Sequence, residues 1–511
     1  MSMRIRETDA DWSGSGLWPT FQAPAHLDVY DIRNASQEVQ LSVTTMTGVI
    51  NREQPKVYLL RSDDAAFWLN QAFAQIPHDI SPVVGNDVLD ALLNSYGSYI
   101  KGLIIYDPNF VDSINIATML AGQRDSIVVS PAQADALQGP PQQLPVVADL
   151  RIYQWKSRVQ VYSWAEQNLL KNAASNLVAG FDPKISGALR SFLVATRTFI
   201  YWLDARNFLP DIRNGWISER GLMQRIFSAF PAGTIHLGWF VDEPQGVSLT
   251  SKAAMPVLAS DYFENLEVWS SVQNVQGVSP APTFHVGSAP AGVPKAYVSF
   301  TMSDGDNLQY NQHRMARLWG DPVRGTLPIG WTISPALVRV APSLATYYMN
   351  TASANDQLIA GPSGAGYMFP SDWPQEQMPP FLRLTGELMQ AMNLSIIEVL
   401  DTGSGQAFVN QGLQAEYVDV LAPFGVRGIL SGSGQTQSSW RIVSGVPVLQ
   451  NLGLGDSVNK TVNLVRNASA RYLNVYIMAW SMTPSDLKQV IQQLGNEYEF
   501  VKPATLLEMI K

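Results

Sequence analysis

The chain has 511 residues, 46% of them hydrophobic and only 15% charged, with a formal net charge of -9. That length exceeds one ordinary core and calls for two or three domains, and the composition excludes a disordered protein. The acidic balance (pI about 5.1) argues against a nucleic-acid partner, and the absence of cysteine excludes disulfides, thiolate metal sites and cysteine nucleophiles.

In chain order, residues 1–12 contain no apolar stretch of signal-peptide type, and nowhere do 18 apolar residues run together, so neither a leader nor a membrane span is read. This leaves a cytoplasmic protein, or an extracellular or periplasmic one whose leader has been removed. Residues 1–150 place short buried strands at 28–31, 56–60, 102–106, 126–129 and 144–147, with helical stretches such as 63–74 between them. That alternation predicts an N-terminal α/β region. Residues 151–285 turn mostly helical, an α+β region, through 164–172 and 189–204, with Ser218 as a helix N-cap. A strand at 234–240 then ends in Asp242-Glu243, and the Gly-, Ser- and Pro-bearing stretch 276–294 reads as a linker.

From 290 to 511 the beat becomes regular, with strand-like runs at 296–302, 328–333, 357–360, 394–400, 426–431, 446–450, 472–480 and 499–501. Ser334-Pro335 and Thr483-Pro484 read as N-cap and first-turn proline pairs directly after two of these runs. Eight βα-like units predict a (β/α)8, TIM-type barrel, and a seven-stranded or open variant fits the same spacing.

In such a barrel the chemistry gathers at the C-terminal ends of the strands. Those ends read Ser303-Asp304-Gly305-Asp306-Asn307, Ser334, Ser363 to Tyr367, Asp401 to Ser404, Ser431 to Ser433, Gln450-Asn451 and Trp480-Ser481. They are small, polar or acidic. Asp304 and Asp306 are the leading acids, with Asn307 beside them; the alternative reading is that one of the pair caps the following helix. Acid–base chemistry on one bond needs a proton donor and a second carboxylate across it, which calls for a partner from another strand. Glu398 and Asp401 are the candidates, and their opposite strand parity leaves Glu398 facing either the site or the helix layer.

Asp242 and Glu243 form a second acidic pair, with Asp261 and Asn265 as neighbours, although a plain strand-end turn is the favoured reading there. Trp331, Tyr367, Trp373 and Trp480 are candidate platforms for sugar rings, each of which also suits a core. Other chemistries fail on spacing. Asp401-Thr402-Gly403 matches an aspartic-protease triplet without a second copy. Residues 361–365 just miss a nucleophile elbow, and no histidine follows His313 to serve as base. The five histidines show no HxxxH or HExxH spacing. Residues 304–307 offer oxygen ligands for calcium, but a full EF-hand pattern is absent. No metal and no cofactor is assigned.

Gly361-Pro362-Ser363-Gly364-Ala365-Gly366-Tyr367-Met368-Phe369-Pro370 follows a strand-like run, and its glycines allow close backbone approach. Gly364, Gly366, Tyr367, Phe369 and Pro370 resemble the signature of the GxGYxYP family of putative glycoside hydrolases, with Phe369 where the signature has a second tyrosine. Residues 296–307 are similar to the strand and acidic loop that open that family's C-terminal domain. The resemblance implies a carbohydrate-active, barrel-like catalytic domain behind an N-terminal region, with a poly- or oligosaccharide as substrate. A non-catalytic glycan-binding protein is one alternative. A polysaccharide deacetylase-like enzyme is another, since residues 301–305 are similar to that family's acidic motif without its paired histidines. A small-ligand binder of periplasmic type, seated in the N-terminal α/β region, is a third.

Overall fold

The computed structural model describes Trp12 and residues 18–210, 217–272, 294–304, 307–401 and 407–511, the side chain of Asn307 excepted. The linker reading at 276–293, Gly305, Asp306 and residues 402–404 therefore lie outside the described residues. The chain forms two compact units. One comprises Met1–Leu249, Ser260–Asn274 and Arg339–Ser343, and the other Thr250–Ala259, Val275–Val338 and Leu344–Lys511.

The first unit is built from small parallel sheets. β1 (Leu27–Asp31) lies between β2 (Val57–Leu60) and β3 (His78–Val84); β4 (Leu103–Ile105) lies between β5 (Ile127–Val129) and β6 (Val146–Asp149). β7 (Leu177–Gly180) lies between β8 (Phe199–Tyr201) and β9 (Ile235–Gly238). Helices between them start on serines. Ser36, Ser62, Ser130, Ser157 and Ser218 each accept a bond from a backbone N–H of the first turn, which satisfies an otherwise orphaned donor. β8 is a departure from the sequence reading, which carries a helix through 189–204. The helix ends at Thr196, and three fully buried residues then form a strand. A parallel strand covered on both faces carries no alternation to betray it.

The second unit opens with β10 (Val257–Ala259) and is dominated by one curled sheet. Its strands are β11 (Ala296–Ser303), β12 (Ile329–Ile333), β13 (Asp356–Ala360), β14 (Ile396–Val399), β15 (Gly428–Ser431), β16 (Trp440–Val443), β17 (Val446–Gln450), β18 (Leu452–Gly455), β19 (Tyr472–Met478) and β20 (Tyr498–Phe500). The path runs β16-β17-β15-β14-β13-β12-β11-β19-β18, all pairs parallel except the β16–β17 hairpin. β17 and β18, near or at opposite ends of that path, are separated in the chain by Asn451 alone.

The eighth strand of the expected TIM-type barrel is not in this path. Among the described residues β20 pairs only with Ala296–Val298, the lower half of β11, whose upper half pairs with β12 at Thr301 and Met302. Pro503 then starts the helix Pro503–Ile510. Proline lacks the N–H a strand would donate and suits the first helical turn, so the chain leaves the sheet here.

That last helix packs on the concave face. Ala504, Leu506, Leu507 and Ile510 join Ile359, Ile396, Leu430 and Leu449 in one buried cluster. Two glycines make room for it. A Cβ at Gly330 would lie 2.8 Å from Pro503, and one at Gly428 would lie 2.5 Å from Leu507. An apolar floor is thus laid beneath the C-terminal ends of the strands.

Candidate active site

Above that floor the same face turns polar. β11 presents Ser299, Thr301 and Ser303 at alternate positions, and register places Asn474 of β19 beside Ser299. On β14, Glu398 follows Ile396 on the concave face, so the carboxyl points into the sheet's interior and away from the helix layer.

A directed chain of hydrogen bonds joins these residues. Ser299 and Thr301 hydroxyls donate to Asn474 Oδ1 at 2.6 and 3.0 Å. With its oxygen so engaged, Asn474 turns its amide toward Asn451 and donates to Asn451 Oδ1 at 2.7 Å. Asn451 in turn donates to the Gly432 carbonyl at 2.7 Å and to Glu398 Oε1 at 3.4 Å. The Ser303 hydroxyl donates to Glu398 Oε2. Glu398 is fully buried, and desolvation pushes its pKa up to about 8 against the pull of the Ser303 and Asn451 bonds. At neutral pH it is a carboxylic acid.

The other predicted residues fall in different surroundings. Asp304 directly follows Ser303 and is 7% exposed. Asp306 and the Asn307 side chain lie outside the described residues. Asp401 is buried and accepts from the Ser371 backbone at 3.0 Å and its hydroxyl at 2.5 Å, holding the chain that leaves the glycine-rich turn. Trp480 is 47% exposed, with its ring edge-to-face against Tyr310. Trp331 is fully buried, its indole N–H donating to Asp356 at 2.9 Å, and Trp373 is buried against Phe381. Both occupy core positions.

The glycine-rich turn is a packing device. A Cβ at Gly364 would sit 2.7 Å from Thr385 Oγ1 and 2.8 Å from the Phe381 ring; one at Gly366 would sit 2.8 Å from Pro256. This close approach lets Tyr367 exchange backbone bonds with Val257 at 3.0 and 2.8 Å. Tyr367 and Phe369 are both buried, and the Phe369 backbone N–H donates to Ser251 Oγ at 2.9 Å. The turn also touches the polar face, because Ser363 N donates to the Glu398 carbonyl at 2.9 Å.

Asp242 and Glu243 belong to the first unit. Asp242 accepts from Gln245 N at 3.1 Å at the start of the helix Glu243–Lys252. Asn265 brackets Leu59 there, bonding its N–H and its carbonyl at 3.0 Å each, and Asp261 is buried.

Two residues at this site, Asn474 and Tyr310, escaped the sequence reading, and a third was read only in part. Asn451 was visible as a strand-end polar residue, but its contact with Glu398 was not. Asn474 carried a usable signal, a lone amide inside the apolar run Tyr472–Met478. Tyr310, whose hydroxyl the Asp304 charge reaches, carried none.

A parallel, curled α/β sheet with a neutral carboxylic acid among the C-terminal ends of its strands is an arrangement suited to acid-assisted chemistry. Four family models match, at residues 26–98, 100–173, 175–271 and 294–511, the first three described as the first, second and third GxGYxYP domains and the last as the GxGYxYP putative glycoside hydrolase C-terminal domain. The chain belongs to the GxGYxYP family. It shares its fold with the crystal structure of a putative hydrolase from Bacteroides thetaiotaomicron, with a TM-score of 0.81 at 20% identity over 96% of each chain. A putative polysaccharide deacetylase from Mycobacterium smegmatis aligns over 46% of this chain and 95% of its own, at 10% identity and a TM-score of 0.32, too loosely to carry an argument. No curated protein matches the chain.

Proposed function

We propose that the chain is a glycoside hydrolase in which Glu398 is the general acid and Asp304, with Asp306 two residues on, supplies the second carboxylate. One observation carries this reading: Glu398 is a buried acid with a pKa of about 8, held by Ser303 and Asn451. An acid that keeps its proton at neutral pH can deliver it to a glycosidic oxygen, while a second carboxylate serves as base or nucleophile on the other face of the sugar. Asp304 is the candidate for that second role because it follows Ser303, which bonds Glu398. Trp480 offers a half-exposed ring on which the CH face of a pyranose can pack. The family's description and the putative hydrolase of the same fold support the assignment.

The test is turnover of a panel of polysaccharides and aryl glycosides by the protein, Asp304→Asn and Glu398→Gln, with circular dichroism confirming the fold. Each substitution is expected to remove turnover by about a hundredfold or more. Full turnover in both would overturn the reading, and glycan binding without turnover in any of the three would replace it with a glycan-binding protein. Turnover by the unaltered protein is expected to decline as pH rises through about 8, where Glu398 gives up the proton it must donate.

A further inference from the structure

Tyr310 opens the π-helical turn Tyr310–Arg314, which follows the short helix Asn307–Gln309 after the acidic loop. The side chain is fully buried, yet among the described residues its hydroxyl has no hydrogen-bond partner. Burial, with the Asp304 charge, pushes its pKa up, so the phenol keeps its proton and is a donor at every working pH.

Trp480 lies edge-to-face on the Tyr310 ring, with centroids 6.3 Å apart at 66°, and is itself half-exposed. Arg314 fixes that arrangement from the same turn, donating to the Ala479 carbonyl at 2.8 Å and the Met482 carbonyl at 3.4 Å. A buried donor without a partner is unfavourable in the free protein, and a π-turn interrupts the regular helix at some cost, a feature that recurs at functional sites. Both costs fall on one residue beside two carboxyl groups, which is where a ligand's oxygen would make the bond good.

We propose that Tyr310 is a substrate-binding residue whose hydroxyl donates to a hydroxyl of the pyranose ring that packs on Trp480. The sugar class rests on the hydrolase reading above. The donor itself rests on the unpaired hydroxyl. Tyr310 would select for an equatorially or axially placed sugar oxygen at that point, making it a specificity residue as well as an anchor.

The experiment compares the protein with Tyr310→Phe by calorimetric titration with hexaoses of glucose, mannose, xylose, galactose and N-acetylglucosamine, alongside thermal unfolding of both. Binding of the preferred hexaose is expected to weaken about tenfold in Tyr310→Phe, the worth of one hydrogen bond. The melting temperature is expected to stay level or rise, because the variant buries no orphaned hydroxyl. A structural role would lower it. Unchanged affinity, a melting temperature several degrees lower, or no binding of any hexaose by the unaltered protein would each overturn the proposal. If Glu398→Gln loses turnover while Tyr310→Phe binds and turns over normally, this inference fails alone. If Tyr310→Phe loses affinity and no form turns over, the hydrolase reading fails and the sugar subsite stands.

Discussion

Glu398 shows how burial and hydrogen bonding compete at one side chain. Desolvation raises its pKa from 4.5 to about 8 even though two donors favour the charged form. The folded state therefore holds this proton more tightly than the unfolded chain does. The resulting stabilisation is fully present below about pH 4.5 and is lost as pH rises through about 8, a difference on the order of a few kcal/mol. Glu398→Gln has no proton to lose. Its urea midpoint is expected to vary less between pH 5 and pH 9 than that of the unaltered protein, and an identical slope in both would refute the shift. Gly364 is the second residue-scale case. With φ at +146° and the Phe381 ring 2.8 Å from a Cβ, Gly364→Ala is expected to lose about 2 kcal/mol or more in urea unfolding. Both residues could be picked from sequence, the glutamate as an acid near a strand end and the glycine by its motif. Their environments could not, because which face Glu398 took depended on the register of strands distant in the chain. Tyr310 was illegible for another reason: a tyrosine in a helical stretch is ordinary, and only a vacant partner singles it out.

At the scale of elements, β11 through β15, β17 and β19 of the curled sheet were legible, whereas the seven-residue β3, largely exposed and lacking an apolar run, was not. β16 and β18 were not. β18 is Leu-Gly-Leu-Gly, and two glycines in four residues read as a turn. The C-terminal helix was the larger surprise. Its sequence gives an amphipathic segment, and nothing local says that the segment fills the concave face of a sheet instead of covering its outside. Leu507, buried against Gly428, tests that role: Leu507→Ala is expected to cost about 3 kcal/mol by calorimetry or denaturant. Gly428→Val, adding bulk on the opposing side, is expected to destabilise as well, by about 1–3 kcal/mol.

For the whole molecule, the second unit draws in a segment from well before residue 294. It includes Thr250–Ala259, which supplies Val257 to Tyr367 and Ser251 to Phe369. A fragment of residues 294–511, the span of the C-terminal family model, lacks both. It is expected to unfold at lower urea than the second unit does within the full chain, and equal midpoints would show the early segment to be dispensable.

Asn451 lies where β17 gives way to β18, between a strand paired to β15 and a strand paired to β19. It is also an amide partner of the buried acid. Assembly and chemistry thus hang on a single peptide. A sheet that had recruited only one of those neighbours would present Glu398 without that amide donor. On the proposed hydrolase reading, activity is expected to return during refolding no earlier than the pairing of both β17 and β18.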